Sequence, residues 1–193
     1  LHEKPANVEK LIYDIELFFR NKCEANQQEF IINYDNMIHK TLIMDELRVK
    51  QILTNLVANA VKYTQSFGKI SLDVIEDSWD SDQNCNIRFV VTDDGIGMSK
   101  EFIKRVFQPF EREETALSEK IEGTGLGMAI VKNFVEVMNG KITIDSMVNV
   151  GTKVTVMIPL KICDEAETVY EKDFSTVQHK YPGKHILIVE DKR

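Results

Sequence analysis

Apolar residues recur along this chain at two periods, and the switches between them lay out its elements. Val8, Leu11, Ile12, Ile15, Phe18 and Phe19 return at helical spacing behind Asn7, a good N-cap residue, so a helix is expected over residues 7–22. Glu29–Tyr34 and Thr41–Met44 are short runs of strand character. Asp45 then caps a long helix whose apolar stripe includes Val49, Ile52, Leu53, Leu56, Val57 and Ala60. Lys69–Glu76 and Asn86–Thr92 predict two strands, with the polar Asp77–Asn84 connection expected as an exposed hairpin loop. A short helix near Ser99–Arg105 follows, then a Glu-, Thr- and Ser-rich stretch from Glu111 to Glu122 without an apolar period. Gly123-Thr124-Gly125-Leu126-Gly127 opens another helix, which runs to the stop signal Asn139-Gly140. Lys141–Ser146 and Thr152–Leu160 make a final strand pair, ended by Pro159.

This order predicts an α+β two-layer sandwich, a mixed sheet with helices packed on one face, over residues 1–160. Residues 161–181 are polar and weakly patterned and are expected to be a linker. His185-Ile186-Leu187-Ile188-Val189, closing on Glu190-Asp191, reads as a fresh buried-type strand, so residues 182–193 are expected to be the cut-off first strand of another domain.

Composition narrows the chemistry. The 193 residues are 43% hydrophobic and 28% charged, with a formal net charge of −7, as in a soluble globular protein. Such a chain repels nucleic acid and anionic lipid, so no nucleic-acid partner is expected, and any phosphate must be held by locally built groups. No apolar run approaches the roughly 18 residues of a membrane span, and the start has no signal-peptide character. The cysteines (Cys23, Cys85, Cys163) are scattered and fit neither a disulfide framework nor a zinc site. A reducing cytoplasm is the expected setting, with a parent protein anchored in a membrane still compatible.

Four stretches carry candidate chemistry. Asn55, Asn59 and Lys62 share one face of the long helix. Amide oxygens suit Mg²⁺ when phosphates and waters complete its shell, a lysine reaches phosphate as a point charge, and Tyr63 can lie along a nucleotide. Read alone, that stripe is more simply a solvated helix face. Asp93-Asp94-Gly95-Ile96-Gly97 ends an apolar strand. A carboxylate there can accept from an adenine amine, yet Asp-Gly is also the commonest turn signal. Gly123, Gly125 and Gly127 alternate into a helix N-terminus, where backbone N–H groups and the helix dipole favour anions. A flexible hinge is the plainer alternative. Between them, Phe107 and Phe110 around Pro109 are expected to anchor one end of a mobile segment, from which Arg112 swings toward phosphate.

Taken in order, Asp45-x-x-Arg48-x-x-Gln51-Ile-Leu-x-Asn55-Leu-x-x-Asn59-Ala-x-Lys62-Tyr63-Thr64, Asp93-x-Gly95-x-Gly97, Phe107-x-Pro109-Phe110-x-Arg112 and Gly123-Thr-Gly125-Leu-Gly127 resemble the N, G1, F and G2 boxes of sensor histidine kinases. The resemblance covers about residues 5–160 and implies the Bergerat ATP-binding fold, with ATP and Mg²⁺ as cofactors. It implies Asn59 as the Mg²⁺ ligand with Asn55 beside it, Lys62 and Arg112 on phosphates, and Tyr63 flanking the nucleotide. Asp93 would hold the adenine amine with Gly95 and Gly97, while Gly123, Thr124, Gly125, Leu126 and Gly127 would close on the phosphates. Residues 98–124 would form an ATP lid, and Thr152 would sit near the base.

One position separates the relatives. Gyrase-like ATPases carry a glutamate base one turn before the metal-binding Asn; here that position is Asn55, an amide that takes no proton at neutral pH. Such a site suits an incoming nucleophile that needs no base, such as neutral imidazole. The implied reaction is therefore transfer of the ATP γ-phosphoryl group to a histidine, with a self-sufficient ATPase and a non-catalytic nucleotide sensor as the rivals. The family carries that histidine on a separate dimerisation hairpin, which is the expected partner and the expected route to a homodimer. His2-Glu3-x-Pro5 is not that acceptor, because its proline comes too early. Ile186–Asp191 resembles the opening strand of a receiver domain, which points to a hybrid histidine kinase.

Overall fold

The computed structural model describes residues 1–34, 37–79, 84–113 and 124–163. Gly123, most of the expected linker, the receiver-like strand at 182–193, His179 and His185 lie outside these residues.

The chain enters through β1 (Lys4–Asn7), which runs straight into α1 (Val8–Ala25). The Asn7 side chain accepts the Lys10 N–H and caps α1 as its sequence predicts. β2 (Glu29–Asn33) and β3 (Thr41–Met44) precede α2 (Glu46–Tyr63), capped by the Asp45 carboxylate accepting the Arg48 N–H. β4 (Lys69–Trp79) and β5 (Asn84–Asp93) form the long central pair, followed by the single turn α3 (Lys100–Ile103). α4 (Gly127–Val137), β6 (Lys141–Met147) and β7 (Gly151–Ile162) complete the described unit.

The strands form one mixed sheet in the order β1-β3-β7-β5-β4-β2, with β6 also on β7; β2 and β4 run parallel and the other pairs antiparallel. Alternation sorts its faces. Ile70, Leu72 and Val74 of β4, Ile87, Phe89 and Val91 of β5, and Val154, Val156 and Ile158 of β7 are buried. They pack with Leu11, Ile15 and Phe19 of α1, Ile52 and Leu56 of α2, and Val131 and Val135 of α4 in one core. The intervening residues, among them Asp73, Arg88, Thr92, Lys153 and Thr155, line a shallow polar concavity on the opposite face. This is the expected two-layer α+β sandwich.

One strand is added to the expected set and two expectations are corrected. Lys4–Asn7, unpatterned in sequence, is an edge strand that pairs with β3 in the register Pro5↔Ile43. A proline is tolerated at an edge, and no apolar period is required of so short a strand. The Asp77–Asn84 connection is shorter than expected, because β4 continues to Trp79 and β5 starts at Asn84. With one sheet face open to water, polar residues belong in these strands, and Asp77 is ion-paired with Arg88. Pro159 does not end the last strand: β7 continues through residues 161 and 162, which were expected to start the linker. At Pro159 the strand keeps its β5 neighbour, while β6 pairing has stopped at Met157 and β3 pairing begins only at Lys161. A residue without an N–H costs least there.

Candidate functional site

The last turn of α2 packs against the turn after β5, and this junction builds one end of a cleft. The Ile96 N–H donates to the Tyr63 carbonyl at 3.1 Å. A Cβ on Gly95 would stand 2.3 Å from that same oxygen, so only glycine fits. Gly97 takes φ +65°, and a side chain there would strike the Met147 carbonyl. The two adjacent carboxylates divide their work. Asp94 accepts the Lys69 N–H at 2.7 Å and pins the turn to β4, whereas Asp93 faces the cleft.

Burial pushes the Asp93 carboxyl up to about 6, although N–H groups of Gly95 and Thr152 donate to it; the neighbouring Asp94 adds a smaller upward push. The Gly95 bond measures 3.0 Å. A carboxylate held this poorly solvated gains from any donor that reaches it. Thr152 lies directly across the ladder from Asp93, and its hydroxyl meets Ser146 Oγ at 2.9 Å. Ser146 also receives the Met98 N–H, tying the start of the 98–113 segment to this wall.

The other end is built between α2 and α4. The Asn55 amide nitrogen donates to the Gln51 carbonyl at 2.8 Å, which turns its Oδ1 toward α4. A Cβ placed on Gly127 would lie 3.0 Å from that oxygen and 4.0 Å from Asn59 Nδ2. The backbone opening α4 thus stands over both amides. Gly125, at φ +71°, lets the chain pass within contact of the Phe110 backbone, and Phe110 N–H donates to its carbonyl at 3.1 Å.

Between these ends lies a cleft of about 640 Å³, a size usual for a small-molecule site. Asn55, Asn59, Lys62 and Tyr63 line it from α2, Asp93, Gly97 and Thr152 from the sheet side, and Arg112, Thr124, Gly125 and Gly127 from the third side. Gly95 and Leu126 are not among the lining residues, and Gly123 lies outside the described residues. The Lys62 ammonium sits 4.8 Å from the centre of the Tyr63 ring. Sequence reading missed the apolar walls, chiefly Val91, Ile96, Met128 and Val154. Strand alternation carried a signal for two of them, since Val91 and Val154 lie two residues from Asp93 and Thr152 on the same faces. The expected aromatic anchor is corrected. Phe107 is partly buried with the Lys132 ammonium over its ring, but Phe110 is 73% exposed, and Phe102 and Val106 are the buried anchors instead.

The donor set fits a cation shared with phosphate. Among the described residues no group of three or more His, Cys, Asp or Glu side chains forms a metal cage. Amide side chains under a helix N-terminus, with Asn55 presenting its oxygen there and Asn59 beside it, offer what Mg²⁺ can use when a polyphosphate supplies other ligands.

The sequence profile of the histidine kinase-, DNA gyrase B- and HSP90-like ATPases matches residues 44–162, the stretch that contains both ends of this cleft. The chain belongs to that ATPase family. Within it, the relatives are sensor kinases. GacS of Pseudomonas protegens is 33% identical over 164 residues, covering 84% of this chain and 18% of GacS. CiaH of Streptococcus pneumoniae is 33% identical over 141 residues, 71% of this chain and 30% of CiaH. The catalytic domain of the histidine kinase ThkA in a nucleotide-free form superposes with TM-score 0.68 at 28% identity, covering 82% of this chain and 96% of that one. The chain spans less than a fifth of the length of GacS and LuxQ, the first relatives it matches. No described helix is long and apolar enough to cross a membrane.

Proposed function

We propose that this ATPase-family domain binds ATP with Mg²⁺ and presents the γ-phosphoryl group to a histidine on a separate helical hairpin of a hybrid sensor kinase. Asp93 accepts from the adenine amine, with Thr152 beside it, and Tyr63 flanks the nucleotide. The Asn59 oxygen, with Asn55 next to it, holds the cation, which when bound neutralises triphosphate charge. Lys62 leaves the Tyr63 ring to meet phosphate, and Arg112 approaches from the opposite side. The N–H groups around Thr124–Gly127 cradle the chain of phosphates. Catalysis is then positioning and charge neutralisation, with no general base required from this domain. Residues up to 162 form the catalytic unit, the polar stretch beyond is a linker, and 182–193 lead into a receiver; the whole works in the cytoplasm.

The observation that carries this reading is the pairing of ends in one cleft: a half-buried, poorly solvated carboxylate at one, and two amides facing the glycine-opened helix at the other. Asn55 favours transfer to histidine over hydrolysis, since its amide nitrogen is already donated to Gln51 and its oxygen takes no proton. The test mixes the chain with the acceptor hairpin of its parent kinase, Mg²⁺ and γ-labelled ATP. An acid-labile, base-stable phosphate on the hairpin is expected. Steady phosphate release by the chain alone, with no label on the hairpin, would favour an ATPase instead.

A further inference from the structure

α2 and α4 touch at two places of equal spacing. Asn55 meets Gly127 at the cleft, and seven residues before Asn55 the Arg48 guanidinium lies 4.6 Å from the centre of the Phe134 ring, seven residues after Gly127. Seven residues are about two helical turns, roughly 10.5 Å on each helix, so the two contacts fall on one face of each and the helices run antiparallel. Arg48 is held for this role. Its Nη1 donates to Gln51 Oε1 at 2.9 Å, and the Gln51 carbonyl in turn fixes the Asn55 amide. Both Arg48 and Phe134 are partly buried, which strengthens a cation–ring contact relative to an exposed one.

We infer that Arg48 is a positioning residue for the phosphate end of the site: its stack on Phe134 sets the register of α4 along α2 and so holds the Gly125–Gly127 backbone over Asn55 and Asn59. Buried apolar residues such as Val131 pack α4 into the same core as α2. A planar guanidinium seated on a ring and tethered to Gln51 resists sliding directionally. Displacements near 1 Å are enough to weaken phosphate contacts severely, while the base pocket around Asp93 is built by other elements.

The inference rests on the nucleotide reading above and is tested by comparing two ligands that share the base. ATP with Mg²⁺ and adenosine are titrated calorimetrically into the wild-type chain, Arg48→Met, Arg48→Lys and Phe134→Leu. Loss of the stack should lower ATP affinity about threefold to tenfold in Arg48→Met and Phe134→Leu while adenosine affinity stays unchanged. Arg48→Lys keeps a cation over the ring and should fall between Met and wild type. Equal losses for both ligands, or none for either, would overturn the positioning role. Should Arg48→Met fail to fold, the milder Phe134→Leu carries the same comparison. Failure of the wild type to bind ATP would instead overturn the nucleotide reading and this inference with it.

Discussion

Replacing Asp93 by asparagine removes a charge from the base end of the cleft while keeping shape and one acceptor oxygen. Burial raises this carboxyl to about 6 from an ordinary value of 3.8. The folded protein therefore binds more protons than the unfolded chain between those two values, and its stability falls as pH rises through that window. At about 1.36 kcal/mol per pH unit, the ionised carboxylate costs the ligand-free fold up to about 3 kcal/mol above pH 6. Asp93→Asn should recover part of that at pH 7.5, with the gain shrinking to nothing as pH approaches 4, measured by urea denaturation across the pH range. Binding should move the other way. The ionised form is the stronger, charge-assisted acceptor for the adenine amine, so wild-type affinity for adenosine, which carries no titrating phosphate, should drop by up to about tenfold between pH 7.5 and pH 5. Calorimetry of Asp93→Asn should show weaker binding at neutral pH and a flat profile. A wild-type profile that is equally flat, or a stability gain of the variant over wild type no larger at pH 7.5 than at pH 4, would refute the reasoning that this poorly solvated carboxylate is kept for the base.

Other outcomes follow from the same geometry. Asn59→Ala should abolish the Mg²⁺-dependent part of ATP affinity and leave the circular dichroism spectrum unchanged; retained Mg²⁺ dependence in calorimetry would count against its role. Glu76 accepts N–H groups of Ile38 and His39 at 2.9 Å each and the His39 ring at 2.6 Å. Burial alone would raise its carboxyl, yet these donors hold it below the ordinary carboxylate range, so its contribution is present at neutral pH and is lost as the pH falls through the lowered value. Glu76→Gln should therefore destabilise the protein by about 1–3 kcal/mol at pH 7, and by progressively less in acid, in denaturant titrations. Gly97→Ala, at φ +65° and with its new Cβ 2.0 Å from the Met147 carbonyl, should cost about 1–3 kcal/mol and weaken nucleotide binding together, read by thermal unfolding and calorimetry.

The helices and long strands were legible because each carries its own period, and the caps Asn7 and Asp45 work within three residues of themselves. The four motifs were legible because their residue types are demanded locally: glycine where a carbonyl presses close, amides one turn apart, a carboxylate at a strand end. β1 was not legible, since four residues containing a proline become a strand only when β3 offers an edge. Nor was the outward turn of Phe110, which follows from the meeting of its backbone with Gly125 rather than from any pattern around residue 110.

By itself the sequence determined the order of elements from α1 onward, the faces that go inward and the kinds of chemistry on offer, because hydrophobic spacing and backbone sterics act over a few residues. Tertiary structure alone decided that Asp94 pins the turn to β4, that the Asp93 carboxyl is raised, that Asn55 turns its oxygen to Gly127, and that Arg48 finds Phe134. Solvation of a charge and the register of two helices are set by atoms far away in the chain, and no local pattern encodes them.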